Sequence, residues 1–131
     1  ISQDRLKGFN RALREAGIPV SRARVESVLA ADAAAAAARL ITEKTDAVIV
    51  ESDVCAAGVY EAMAERGLSH EKIKVCALGG ETVAYRLDPP VTTVHVDYRS
   101  LADTAVRLLV RRLRGEECPR ENYAGAEILY R

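Results

Sequence analysis

The sequence has 131 residues, of which 49% are hydrophobic and 29% are charged, so it is neither a disordered tail nor a membrane-spanning chain. Its 19 basic and 19 acidic residues give a formal net charge of +0, which argues against a chain whose main task is to grip phosphate backbones. Aromatic residues make up 5% of the sequence, too few for a surface on which nucleic-acid bases stack.

The first half of the chain predicts two helices, each followed by a β-favouring run. Apolar residues recur at helical spacing from Ser2 onward, and an alanine-rich stretch capped by Asp32 predicts the second helix. The apolar residues before Glu51 are continuous, which is typical of a strand buried on both faces. The predicted elements are helices at Ser2–Ala16 and Ala33–Thr42 and strands at Arg24–Leu29 and Asp46–Glu51.

The second half continues the alternation, which predicts an α/β fold built from βα units, with a parallel sheet and helices on both faces. Pro89 and Pro90 force an extended chain and mark the candidate boundary between two lobes. The predicted elements are a helix at Cys55–Arg66, a strand at Lys72–Leu78, a helical turn at Glu81–Leu87, a strand at Val91–Val96, a helix at Tyr98–Leu113 and a strand at Glu127–Tyr130.

The three cysteines, Cys55, Cys76 and Cys118, are an odd number and form no C-x-x-C pair. This arrangement fits neither a disulfide framework nor a zinc site. Cys55 and Cys76 lie in apolar stretches, where small core residues are the simplest interpretation. The cysteines therefore indicate a reducing compartment, and we expect neither a metal nor a cofactor.

Candidate binding residues follow the predicted strands, because ligands of open parallel sheets bind beyond the carboxyl ends of the strands. Ser52 and Asp53 either cap a helix or form hydrogen bonds with a polar ligand. Gly79 and Gly80 either let a ligand approach the backbone or make a tight turn. The three segments that lie at these carboxyl ends are Glu51–Asp53, Leu78–Glu81 and the turn at Val96–Tyr98. The glycine pair matches neither G-x-G-x-x-G nor a P-loop, so nucleotide binding is poorly supported.

Other polar residues give little support to catalysis. His70 lies in a loop and His95 on a strand, and neither has a nearby nucleophile or metal-ligand spacing. Arg5 stands in the first turn of a predicted helix, where the helix dipole does not favour a cation. A solvated side chain is the simple explanation for Arg5.

Four motifs follow one another along the chain and together span it. They read R-L-K-G-F-N-R-A-L-R-E-A-G-I at 5–18, D-A-V-I-V-E-S-D-V-C-A-A-G at 46–58, P-P-V-T-T-V at 89–94 and L-Y-R at 129–131. They resemble the segments R-L-x-G-F-x-x-A-L-x-E-A-G-I, D-A-(V/I)-x-x-x-N-D-x-x-A-x-G, P-P-L-T-T-V and L-V-x-R of lactose-repressor-type (LacI/GalR) transcriptional regulators. The P-P-x-T-T-V element is the most specific of the four.

The resemblance implies a two-lobed effector domain of the type I periplasmic-binding-protein-like fold, of which this chain is the C-terminal half. It assigns residues 1–88 to the C-terminal lobe without its first strand, 89–97 to a crossover hinge strand, 98–116 to a helix of the N-terminal lobe and 117–131 to the return. The chain opens without Met, and we expect a fragment. Alone, this piece is expected to expose apolar sheet edges and to be unstable or domain-swapped.

The resemblance also implies roles for single residues at the cleft. Arg5 matches an arginine that contacts hydroxyl or phosphate oxygens of the effector. Ser52 stands where the family often has Asn, and Asp53 matches the Asp that follows; both line the cleft. Tyr98 matches an aromatic position that can stack on a sugar ring.

Three further expectations concern Gly79, Gly80 and two tyrosines. Many family members have an Asp that accepts sugar hydroxyls where this chain has Gly79. The pair Gly79-Gly80 is similar to some sucrose- and trehalose-type repressors, which points to a disaccharide or its phosphate, or else the usual sugar contact is lost. Tyr60 and Tyr85 fall on the implied dimer surface.

The implied function is that of a cytoplasmic regulator without enzymatic activity. It binds a small sugar or sugar phosphate, forms a homodimer and controls operator DNA through an N-terminal helix-turn-helix that lies outside this chain. No membrane partner is implied. The alternatives are a periplasmic sugar-binding protein of a transport system, which shares the fold, and an α/β enzyme.

Overall fold

The computed structural model of the protein describes residues 3–79 and 83–131. Within these ranges, no helix combines the length and the apolar character needed to cross a membrane. The predicted helices and all but one of the predicted strands are found, with ends within two residues of the prediction. The elements are α1 (Gln3–Glu15), α2 (Ala33–Leu40), β1 (Ala47–Val50), α3 (Asp53–Glu65), β2 (Lys74–Leu78), β3 (Thr92–Val96), α4 (Tyr98–Leu113) and β4 (Ala126–Leu129).

The strands form one sheet in the order β1-β2-β3-β4. The first three run parallel, with Val50 opposite Ala77 and Ala77 opposite Thr93. This arrangement confirms the predicted α/β fold with a parallel sheet. The last strand differs, because β4 runs antiparallel to β3, with Val96 opposite Ala126. Since β4 begins at the end of the sheet where β3 finishes, the chain needs no crossover to the opposite end.

The core lies where α2 and α3 pack against each other and against one face of the sheet. Met63 of α3 and Ile73, just before β2, are wholly buried there. A Cβ atom at Gly58 of α3 would lie 2.7 Å from the backbone nitrogen of Ala34, so only glycine permits this close approach of the two helices. The residues of α2 that are buried all have small side chains, which also allows the close approach. They are Ala33, Ala36 and Ala37.

The strand predicted at Arg24–Leu29 is wrong, because this segment forms no strand in the structure. Arg24 instead donates a hydrogen bond to the carbonyl oxygen of Leu40 at 3.3 Å, and Glu26 forms an ion pair with Arg39. A β-favouring run becomes a strand only beside another strand that completes its hydrogen-bond ladder. The contacts described for this segment are with the C-terminal end of α2.

The prediction that β1 is buried on both faces is also wrong. Val48 and Val50 pack against the core, whereas Ile49 on the opposite face is 51% exposed. In the described part of the chain β1 is one of the two edge strands of the sheet, and neither α1 nor α4 contributes a buried residue. Among the described residues, only α2 and α3 bury side chains against the sheet, both on one face, so the prediction of helices on both faces is corrected.

Candidate functional site

The segments that follow β1, β2 and β3 lie together at one edge of the sheet, formed by the carboxyl ends of these parallel strands. Glu51 follows β1, Gly79 follows β2 and Asp97 follows β3. The backbone N–H of Gly79 donates to the carbonyl oxygen of Val94 at 3.0 Å, which continues the ladder past the end of β2. The structure therefore places the three sequence segments beside one another, at the carboxyl ends where parallel sheets bind ligands.

Arg5 reaches this edge from the first turn of α1. Its Nη1 lies 2.7 Å from Oε1 of Glu51, and the two side chains are 46% and 42% exposed. The cation that the helix dipole disfavours thus has a carboxylate partner. The sequence places Glu51 in the segment after the strand, but sequence reasoning assigned no role to its carboxylate. The available signal was an acidic residue directly after an apolar strand, together with a cation that is out of place on its helix.

Ser52 caps α3. Its Oγ accepts a hydrogen bond from the backbone N–H of Cys55 at 3.4 Å, and its hydroxyl also donates to Sγ of Cys55 at 3.4 Å. Of the two interpretations that the sequence leaves open, the structure therefore shows the helix cap. A contact between Ser52 and a ligand stays a prediction.

Asp53 has a buried carboxylate, since only 5% of the residue is exposed. Its Oδ2 accepts hydrogen bonds from the backbone N–H groups of Val83 at 2.8 Å and Ala84 at 3.2 Å. Such bonds to a carboxylate are stronger than neutral ones, and the first turn of α3 favours an anion. Asp53 thereby fastens the segment after β2 to the start of α3, and its contact with a ligand stays a prediction.

Gly79 and Tyr98 meet at the same edge. Gly79 has a φ of +80°, a conformation that favours glycine, and a Cβ atom there would lie 3.3 Å from Oη of Tyr98. Tyr98 begins α4 and is 59% exposed, so part of its ring is open to a solute. Gly80 lies outside the described residues. The glycine at position 79 therefore permits the left-handed backbone and also leaves room for the Tyr98 hydroxyl.

Two shallow recesses lie next to this edge, and Asp97 lines both. One, of about 160 Å³, separates the start of α4 from residues 122–125, and the other, of about 250 Å³, lies against β4. Asp97 also caps α4, accepting a hydrogen bond from the backbone N–H of Ser100 at 3.0 Å.

Within residues 3–79 and 83–131, no group of three His, Cys, Asp or Glu side chains is placed to hold a metal ion.

The two tyrosines predicted at a dimer surface have partners within the chain. Oη of Tyr60 donates to the carbonyl oxygen of Pro89 at 3.0 Å, its ring lies against His70, and burial raises the pKa of its phenol. Tyr85 is exposed, and the guanidinium carbon of Arg131 lies 3.8 Å from the centre of its ring. A role of either tyrosine in a dimer stays a prediction.

Comparison with known proteins identifies relatives along the whole chain. Residues 1–130 match the sequence profile of the periplasmic binding protein-like domain. The chain is 34% identical over 89 residues to the lactose operon repressor of Rhizobium radiobacter, a match that covers 67% of this chain and 79% of that protein. It is 31% identical over 120 residues to the HTH-type transcriptional repressor PurR of Vibrio vulnificus, covering 88% of this chain and 36% of that one.

The fold is shared with solved regulator structures. The transcriptional regulator CelR–cellobiose complex superposes with a TM-score of 0.84 at 25% sequence identity, over 96% of this chain and 40% of that chain. The present chain thus spans most of the matched lactose operon repressor but well under half of PurR and CelR. It therefore belongs to the LacI/GalR family of transcriptional regulators and carries part of the family's periplasmic-binding-protein-like effector domain.

Proposed function

We propose that this chain is the effector-sensing and dimerising portion of a bacterial LacI-type regulator, which binds a small sugar or sugar phosphate and thereby controls binding to operator DNA. The observation that carries this proposal is the gathering of Arg5, Gly79 and Tyr98 at the carboxyl ends of the strands, in a chain whose residues 1–130 match the periplasmic binding protein-like domain. No chemical step on the effector is required, and we propose neither an enzymatic activity nor a cofactor.

The chemistry of this edge suits a carbohydrate. Arg5 supplies N–H donors and Glu51 supplies acceptors, both exposed to solvent. Tyr98 supplies an exposed aromatic surface with a polar tip, a combination that commonly contacts ligands that are part apolar and part polar. Two of the related proteins are linked to sugars: one is a lactose operon repressor, and the other is a regulator solved in complex with cellobiose. These observations together support a sugar-like effector.

We propose that the two lobes divide as the family resemblance implies. Residues 1–88 form one lobe, 89–97 cross to the other, 98–116 belong to that other lobe and 117–131 return. The antiparallel pairing of β4 with β3 supports this division, because β3 would lead from the first lobe to the other and β4 would lead back beside it. The absence of buried residues on the described α4 supports its assignment to the other lobe. Effector binding would then close the lobes and change the spacing of DNA-binding heads across a dimer.

The dimer is proposed on the same family grounds, with Tyr60 and Tyr85 near its surface. The exposure of Tyr85 supports this position. A cytoplasmic location follows from the proposed contact with operator DNA. The alternative of a transport protein is disfavoured, because the curated relatives are repressors.

The proposal is tested on the full-length regulator with a thermal-shift screen of neutral sugars and sugar phosphates, including lactose, cellobiose and glucose 6-phosphate. A compound that raises the melting temperature is expected also to change the affinity for operator DNA, measured by fluorescence anisotropy with a labelled duplex. A compound that stabilises the protein without changing DNA affinity would support a transport role. Turnover of a compound without a saturable shift would support an enzyme.

A further inference from the structure

The Arg5–Glu51 pair joins two elements that no other described side-chain ion pair connects. Arg5 lies in the first turn of α1 and Glu51 directly after β1, 46 residues apart in the sequence. Nη1 of Arg5 lies 2.7 Å from Oε1 of Glu51. The pair therefore brings opposite charges together at the edge of the sheet where the effector is proposed to bind.

This pair contributes little to the stability of the fold. Both side chains are almost half exposed, and ion pairs in that setting are weakened by water and salt. The chain offers a matched comparison on the same helix, the Arg11–Glu15 pair at 3.5 Å, which lies within α1 rather than at the strand ends. Stability alone therefore gives no reason for a carboxylate at position 51.

A neutral sugar and a phosphate meet this pair differently. A guanidinium only donates hydrogen bonds and an ionised carboxylate only accepts them. A sugar hydroxyl does both, so it can accept from Arg5 while donating to Glu51. A phosphate group carries nearly two negative charges and accepts hydrogen bonds. At this pair, the phosphate meets the Arg5 guanidinium already paired with a carboxylate. The negative charge of the Glu51 carboxylate repels the phosphate.

We propose that Glu51 is a specificity-determining residue that selects against anionic effectors, so that the effector is a neutral sugar and not a sugar phosphate. This inference rests on the proposed function, because it assumes that the effector binds at Arg5. It assigns to Glu51 the role of neutralising Arg5 and excluding a second negative charge, while still offering acceptors to hydroxyl groups.

The test uses the variant Glu51→Gln in the full-length regulator, since glutamine keeps the shape and an acceptor oxygen for Arg5 but removes the charge. The probes are inorganic phosphate and glucose 6-phosphate, titrated calorimetrically. Binding of glucose 6-phosphate is expected to be about tenfold or more tighter in Glu51→Gln than in the wild type. The double variant Arg5→Ala/Glu51→Gln is expected to lose that gain, and Glu15→Gln is expected to leave phosphate binding as it is in the wild type.

Two results would overturn the proposal. One is wild-type protein that binds glucose 6-phosphate as tightly as Glu51→Gln does; the other is a gain that persists when Arg5 is removed. The exposed position of the pair keeps all of these variants foldable, which an unchanged ligand-free melting temperature verifies. Failure of the proposed function is distinguished by a separate arm with neutral sugars. If none of them binds but the gain in Glu51→Gln depends on Arg5, charge selection stands and the carbohydrate effector does not.

Discussion

Two helices, α3 and α1, bring charged side chains to the same edge of the sheet, but they do so in opposite ways. The carboxylate of Asp53 at the start of α3 is buried and bonded to two backbone N–H groups. The guanidinium of Arg5 in α1 is half exposed, and its described partner, Glu51, is half exposed too. The first group is held by the fold, whereas the second is open to a solute.

This difference separates the roles of residues that the sequence places side by side. A buried group whose hydrogen bonds are satisfied stabilises the fold, and its removal leaves donors without partners. An exposed ion pair adds little stability and can exchange its contacts with a ligand. Substitutions around α3 should therefore lower stability, and substitutions around the start of α1 should change binding with the fold intact.

The largest effect is expected when the 131 residues are produced alone. The exposed edge strand β1, with Ile49 on its open face, is expected to pair with another copy, because an unpaired apolar edge is a template for association. Analytical ultracentrifugation should show self-association or domain swapping, and urea unfolding should lack one sharp transition. A monomer that unfolds cooperatively would contradict this expectation.

Replacing the buried carboxylate is expected to have the next largest effect. Asp53→Ala should lower the free energy of unfolding by about 3 kcal/mol, because it leaves the N–H groups of Val83 and Ala84 without their acceptor. Asp53→Asn keeps an acceptor oxygen and should lower it less. Urea denaturation of the full-length regulator measures both, and equal losses for the two variants would show that the hydrogen bonds are not the cause.

A substitution at Gly79 tests the close approach of Tyr98. Gly79→Ala should lower the free energy of unfolding by about 1–2 kcal/mol from the left-handed backbone alone, and by more because the new Cβ would lie 3.3 Å from Oη of Tyr98. Gly67→Ala is the matched control, since Gly67 has a φ of +64° with nothing within 4 Å of a Cβ. A loss no larger than that of Gly67→Ala would mean that Tyr98 does not constrain position 79.

The helix cap is expected to give the smallest of these losses. Ser52→Ala removes the hydroxyl that accepts from the N–H of Cys55 and should lower the free energy of unfolding by about 1 kcal/mol. Ser52→Thr keeps a hydroxyl and should lose less. Thermal unfolding of the two variants checks the ranking, and an unaltered melting temperature in Ser52→Ala would exclude the cap as a source of stability.

Much of the fold could be predicted because its signals are local. The bounds of α4, Tyr98–Leu113, agree with the prediction, since Asp97 caps its start and Gly115 follows its end. The segment 24–29 could not be predicted correctly, because a strand depends on a neighbour far away in the sequence. The half-exposure of Ile49 likewise follows from its place on the face of the sheet that α2 and α3 do not cover, which no local pattern encodes.

The candidate site was predictable in place but less so in its contacts. The rule that ligands bind beyond the strand ends selected Ser52, Asp53 and Gly79, and the structure brings these segments to one edge. The hydrogen bonds of Asp53 span 30 and 31 residues, and the Arg5–Glu51 contact spans 46. Contacts of this range depend on the assembled sheet, so the sequence left the use of each carboxylate open.

The most direct test of the account compares two arginines of α1. In the full-length regulator, Arg5→Ala and Arg11→Ala each remove one exposed ion pair of the same helix, so both should keep nearly the wild-type melting temperature without ligand. The thermal shift produced by the sugar found in the screen should disappear in Arg5→Ala and remain in Arg11→Ala. An unchanged shift in Arg5→Ala would contradict the assignment of the effector site to this edge of the sheet.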